Sequence, residues 1–114
     1  MRRKTPRYET RAQDEVFSAL ANPTRRELLT LLRDGPQPVK ALAARFELGR
    51  PAISEHLKVL RDAGLVVEEA RGRERHYHLD AAPLVHMSRW LGPYEALWQE
   101  KLATVGHHRD EDPS

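Results

Sequence analysis

From Val16 to Leu60 the apolar residues recur at helical spacing, and from Leu65 onward the spacing becomes that of β-strands, with Gly64 at the change. Several short helical segments, punctuated by Pro and Gly, must therefore pack first, and a strand pair must follow them directly. A chain of 114 residues has room for one such domain and little else.

Along the chain the punctuation is specific. Val16, Phe17, Leu20 and Ala21 share one face of a first helix. Asn22-Pro23 reads as an N-cap followed by the first position of a second helix, predicted over Pro23 to Asp34 with Leu28, Leu29, Leu31 and Leu32 inward and Gly35-Pro36 as its stop. Pro38 is expected to open a third helix whose stripe is Val39, Leu42, Ala43 and Phe46. After Glu47-Leu48-Gly49 comes a fourth, with Pro51 in its first turn and Ile53, Leu57 and Leu60 buried. Two short helices about a tight Gly-containing turn form a helix-turn-helix. Residues 65–71 and 74–79 are β-type runs joined by Gly72-Arg73, where Gly in the first position favours a type II′ hairpin. A hairpin directly after a helix-turn-helix is a wing.

Asp80 can cap a last helix that has Pro83 in its first turn and apolar residues spread from Leu84 to Val105, too many for one small core. Gly92-Pro93 predicts a kink or a break in it. Residues 1–11 and 106–114 are polar and aperiodic, and are expected as disordered tails around a domain of residues 12–105. The fold class is mainly α with a small β-hairpin: a winged helix-turn-helix of four helices, a two-stranded wing and a long C-terminal dimerisation helix kinked near Gly92-Pro93.

Composition removes whole classes of function. No cysteine is present, which excludes disulfides, thiol catalysis and thiolate metal sites. No stretch free of Asp, Glu, Lys and Arg exceeds that from Val16 to Thr24, which is far short of a membrane span. The basic start Met1-Arg2-Arg3-Lys4 is followed by Thr5 to Arg11 rather than by an apolar run, so a cytoplasmic location is expected. No nucleophile–base pair, phosphate loop or carboxylate pair stands out, and no enzyme is expected. The formal net charge of +2 is unevenly placed, because residues 1–80 have an excess of basic side chains and residues 81–114 an excess of acidic ones.

On a helical wheel with Ile53, Leu57 and Leu60 inward, Pro51, Glu55, Lys58 and Asp62 point outward, Ser54 and Arg61 lie beside them, and His56 falls on the flank nearer the core. Any surface helix has a polar face; the wing distinguishes this one. Arg71, Arg73 and Arg75 cluster at or beside the hairpin tip, where guanidinium groups reach phosphates or a minor groove. Glu68, Glu69 and Glu74 fit the simpler account that edge strands carry charge to deter aggregation. The basic tail residues Arg2, Arg3, Lys4 and Arg7 suit a DNA-contacting arm or a tail with no specific role.

Three stretches carry a family resemblance: residues 17–26 (FSALANPTRR), residues 51–66 (PAISEHLKVLRDAGLV) and the hairpin end Tyr77-His78-Leu79. The chain resembles the ArsR-type (ArsR/SmtB) bacterial winged-helix repressors over residues 14 to about 105. The resemblance implies a dimeric repressor that occupies an inverted repeat in a promoter and releases it when an inducer binds. It implies that Arg50, Ser54, His56 and Lys58 meet double-stranded operator DNA, and with Glu55, Arg71, Arg73 and Arg75 these form the candidate DNA-binding set. Glu55 stands where an amide or basic residue is common in the family, and can accept from cytosine N4 or repel phosphate.

Pairing through the first and last helices, as in the family, would use Val16, Phe17, Leu20, Leu84, Leu91, Tyr94, Trp98 and Leu102. Trp90, Tyr94, Leu97 and Trp98 suit either a dimer core or the lining of a pocket for an apolar small-molecule effector. Many relatives sense metals, yet Pro38 and Lys40 occupy the family's cysteine positions, and Ala82, Pro93 and Ala96 occupy three of the four last-helix ligand positions, leaving Asp80 alone. No metal and no cofactor is therefore expected. Two other readings remain: a winged-helix protein-interaction module that binds no DNA, and a sensor with a non-standard site.

Overall fold

The computed structural model describes the backbone of residues 7–111 and the side chains of residues 11–104, and the chain divides into two units, residues 1–83 and 84–114. In the first unit the order is α1 (Arg7–Leu20), α2 (Pro23–Leu32), β1 (Gln37–Pro38), α3 (Val39–Ala43), α4 (Arg50–Asp62), β2 (Val66–Arg71) and β3 (Glu74–Leu79). The second unit is the helix α5, Ala82–Glu111, apart from its first residues. Helix runs beyond the expected domain limits of residues 12 and 105 at both ends; residues 1–6 and 112–114 of the expected tails lie outside the described residues.

Local chemistry sets the helix ends. Asn22, in extended conformation, accepts from the amide of Arg25 at 3.1 Å, and Pro23 follows at the first helical position, where its missing N–H costs nothing. At the other end of α4 the amide of Leu65 donates to the Leu60 carbonyl and that of Gly64 to the Arg61 carbonyl, both at 2.9 Å. This is a Schellman closure, and Gly64 takes φ +80 to make it. Leu60 and Leu65, which such a closure brings together, are both fully buried. The helix-to-strand switch is thus a geometric event at one glycine.

Leu28, Leu32, Leu42, Ile53, Leu57, Leu60 and Leu65 are the largest fully buried side chains, and each contributes about 1.5–3 kcal/mol by leaving water. They place α4 at the centre of its unit, in contact with α1, α2, α3 and β2. Val16, expected at a dimer interface, is only 5% exposed. With Ala19, three residues on, it forms the buried edge of α1, a helix that packs on α2 and α4, so it is core rather than contact surface.

The wing has the expected hairpin, with Val66 opposite Leu79 and Arg71 opposite Glu74. Gly72 has φ +61 and Arg73 after it has no positive φ, which fits the type II′ turn and excludes type I′. A two-stranded sheet was expected; the sheet has three strands in the order β1-β3-β2. Gln37 and Pro38 pair with Tyr77 and His76. Two residues have no readable alternation, and Pro is tolerated here because β1 is an edge strand. Pro38 accordingly does not open α3: it is the extended residue before it (φ −76, ψ 156), and the helix ends at Ala43, short of the half-buried Phe46.

α5 settles one alternative. It continues through Gly92-Pro93 as a single helix of 30 residues, about 45 Å long. Asp80 Oδ1 accepts from the Ala82 amide at 3.0 Å and so satisfies one of its first donors. Among the described residues no helix is long and apolar enough to cross a membrane.

Gly64→Ala tests the switch directly. Its Cβ would meet only Pro83 Cγ at 3.7 Å, an ordinary contact, so the cost is that of positive φ. A loss of about 1–2 kcal/mol in unfolding free energy is expected by denaturant titration; an unchanged midpoint would show that the closure is not required.

Candidate nucleic-acid interface

The amino end of α4, the start of α3 and the wing face one another across a groove of about 570 Å³. Arg50 and Ser54 come from α4, one helical turn apart; Lys40 comes from α3; Arg73 and Arg75 come from the hairpin. Four of the expected DNA-binding residues, Arg50, Ser54, Arg73 and Arg75, therefore line a single space, and Lys40 joins them. Glu55 and Lys58 are exposed on α4 but do not line this groove. Arg71 is also outside it and lies 3.5 Å from Glu69.

His56 is half-buried, as its position on the wheel suggests. Its Nδ1 lies 3.2 Å from Arg25 Nη1, and since an arginine only donates, Nδ1 accepts and the proton of a neutral ring sits on Nε2. Arg25 in turn donates to the carbonyls of Ala19 at 2.8 Å and Ser18 at 3.2 Å. Arg26 closes the Leu20 carbonyl at 2.8 Å. Two consecutive arginines thus cap the carboxyl end of α1, where cations oppose the helix dipole, and one of them ties α4 to it. His56 has a positioning contact that the wheel does not reveal.

The least expected member is Glu68. Its side chain is 16% exposed; Oε1 accepts from Arg61 at 2.9 Å and Oε2 from Arg75 at 2.8 Å. Tyr77 lies directly opposite on β3, and its hydroxyl also favours the charged carboxylate. Burial is the largest single influence and pushes the carboxyl up, but the bonds from Arg75 and Arg61, the charge of Arg75 and the Tyr77 hydroxyl together outweigh it and hold the group below its ordinary value. Tyr77 is pushed up, first by burial and then by the Glu68 carboxylate. A signal was present in the strand period: Val66 is buried, and Glu68 falls on the same face two residues later.

The cations of the groove are therefore of two kinds. Arg75 is engaged by Glu68, while Lys40, Arg50 and Arg73 are exposed and have no ion-pair partner among the described residues. Three unpaired cations and a hydroxyl on rigid elements suit a polyanion whose groups must also be read by hydrogen bonding. On β3, His76 Nε2 lies 3.2 Å from Glu74 and its buried Nδ1 has no hydrogen-bond partner among the described residues. Among the described residues no three His, Asp or Glu side chains are placed to hold a metal.

α5 exposes Leu91, Tyr94, Trp98 and Leu102 of the expected dimer set, and also Val85, Trp90 and Leu97, while Leu84 is half-buried. On α1, Phe17 is 39% exposed and Leu20 half-buried. Leu84, Met87, Leu91, Tyr94 and Trp98 follow one another at alternating intervals of three and four residues, the spacing of a helix-pairing seam, of which Met87 is already buried and Leu91, Tyr94 and Trp98 are exposed. The Trp90 and Tyr94 rings lie 5.1 Å apart, tilted by 41°.

Residues 22–67 match the family model described as bacterial regulatory protein, arsR family. The chain is 32% identical over 78 residues to the transcriptional repressor SdpR of Bacillus subtilis (strain 168), covering 68% of this chain and 87% of that protein. It is 43% identical over 74 residues to the HTH-type transcriptional regulator Rv2034 of Mycobacterium tuberculosis, covering 65% and 69%. The crystal structure of an ArsR family transcriptional regulator, RHA00566, is similar with a TM-score of 0.70 at 33% identity, covering 77% of this chain and 97% of that one. The solution structure of the homodimeric winged helix-turn-helix DNA-binding domain Mb0332 from Mycobacterium bovis gives 0.62 at 26% identity, covering 90% and 94%.

Acid titration tests the Glu68 site. A carboxyl held low when folded adds stability that is fully present above its unfolded value near 4.5 and is lost as the pH falls through the lower folded value. The stability difference between wild type and Glu68→Gln is expected to shrink across that window. A difference independent of pH would show that the carboxylate charge is not what the arginines hold.

Proposed function

The chain belongs to the arsR family of bacterial regulatory proteins, and from that premise we propose that it is a dimeric transcriptional repressor that occupies an inverted repeat in a promoter. The observation that carries this reading is the groove between α4 and the wing, with Lys40, Arg50 and Arg73 around Ser54 and without an ion-pair partner among the described residues. Arg73 and Lys40 serve as phosphate contacts, and Ser54 and Arg50 present hydrogen-bonding groups to base edges. Glu55 and Lys58 extend the outer face of α4 along the duplex, and His56 offers its Nε2 proton to a phosphate while Arg25 holds its other nitrogen. Arg71 and Arg75 have secondary roles, since a carboxylate lies beside each.

Pairing is through the exposed apolar surface of α5 with Phe17 of α1; Val16 takes no part. A relative of the same fold is homodimeric, which supports pairing as such. Two α4 helices related by a dyad require an operator with matching symmetry. The family's metal positions hold Pro38, Lys40, Ala82, Pro93 and Ala96, none of which is a zinc donor at neutral pH, so no metal governs DNA binding.

Titration of a labelled duplex at several salt concentrations tests the interface. Wild type is expected to bind with a steep inverse salt dependence, unchanged by chelator or added zinc, and Arg73→Ala to weaken binding to every duplex and flatten the slope by about 0.9, the loss of one phosphate contact. Arg75→Ala is expected to change the slope less. A slope unaltered by Arg73→Ala would remove the wing from the interface. For the dimer, Trp98→Asp is expected to give monomers in sedimentation at micromolar concentration where wild type is paired; a monomeric wild type would overturn the assembly.

A further inference from the structure

We propose that Glu68 is a specificity-determining residue: by holding Arg61 and Arg75 it withdraws two cations from the phosphate backbone and fixes the wing to α4, so that duplex of any sequence is held less tightly and the operator is discriminated more sharply. The proposal rests on the DNA-binding reading above. It starts from a placement that a purely attractive surface would avoid, since a carboxylate inside a cationic groove repels the phosphates that the groove would receive.

The geometry explains what the carboxylate gains. Glu68 lies where three segments meet, with Arg61 from the last turn of α4, Arg75 and Tyr77 from β3, and itself on β2. Each carboxylate oxygen takes one guanidinium, at 2.9 and 2.8 Å, and only 16% of the side chain is exposed, against 41% for Arg61 and 68% for Arg75. The arginine side chains remain exposed to solvent while their charge is already answered. A phosphate would have to displace short charge-assisted bonds made in partial shelter from water.

Binding to arbitrary sequence is almost entirely phosphate neutralisation, whereas binding to an operator adds base contacts that need α4 held at a fixed angle. Removing two cations from the phosphate account weakens the first kind more than the second. The same contacts set where the hairpin stands relative to α4, and so where Arg73, two residues before Arg75, is presented. Stability alone is a weak reason for the cluster, because a sheltered ion pair is commonly replaceable by apolar side chains at little cost.

The test uses the full chain with two labelled duplexes: the tightest binder selected by wild type from a random-sequence pool, and a scrambled duplex of the same composition. Both are titrated across a range of salt concentrations. Glu68→Gln is expected to bind the scrambled duplex more tightly, to steepen its salt slope by about 0.9–1.8, that is by one to two phosphate contacts, and to lower the selected-to-scrambled affinity ratio roughly tenfold. Adding Arg75→Ala to Glu68→Gln is expected to return the slope toward wild type. A merely structural carboxylate would weaken both duplexes by one factor with no change of slope, and that result overturns the proposal. Should Glu68→Gln fail to fold, Glu68→Asp decides: one methylene shorter, it cannot hold both arginines, and an unchanged slope would count against the role. A wild type that shows no salt-dependent binding to any duplex would overturn the DNA-binding reading itself, a result distinct from a failure of Glu68 alone.

Discussion

Everything in the first unit depends on α4 burying one edge and keeping the other in water. Ile53, Leu57 and Leu60 are fully buried, and α4 touches α1, α2, α3 and β2. Truncating any of these three to Ala would cost about 2–5 kcal/mol. The outward residues Glu55, Lys58 and Ser54 owe their common direction to that buried edge, because on a helix the two faces are set together. The Schellman closure at Gly64 then turns the chain so that Leu65 joins the core and the hairpin begins at once.

Around this core, polar contacts hold the parts of the candidate interface at fixed positions. Arg25 joins the end of α1 to His56 on α4, and Glu68 joins the end of α4 to the wing. Both connections sit on the flanks of α4, beside its polar face. They tie a helix, a hairpin and the end of α1 to one another, and with them the elements that carry Arg50, Ser54 and Arg73. The groove is cationic, yet its charge is moderated from within by two carboxylates, Glu74 and the sheltered Glu68.

What could be read from the sequence was what local chemistry decides alone. Asn22-Pro23, Gly64 and Gly72 announced their ends and turns because each has a conformational or hydrogen-bonding property that few residues share. The buried edge of α4 follows from the helical period, whereas the groove that Arg50, Ser54, Arg73 and Arg75 share leaves no trace in their spacing. The strand β1 was missed because Gln37 and Pro38 become a strand only when β3 is beside them. Val16 was misplaced because an apolar helical stripe does not say which part faces its own core and which faces a partner. Glu68 fits edge protection in the sequence because its arginine partners are seven residues away in either direction, on different elements. The bond between Arg25 and His56 spans 31 positions and has no local signature.

The central claim is that α4 and the wing of two paired chains read one symmetric site. A hydroxyl-radical footprint on the duplex selected by the protein tests it most directly. The account predicts two protected patches related by a dyad, their centres about one helical turn of DNA apart or a small multiple of it. It also predicts that Ser54→Ala alters the preferred bases at matching positions in both halves. A single patch without symmetry, or protection that Ser54→Ala leaves unchanged in sequence preference, would contradict it.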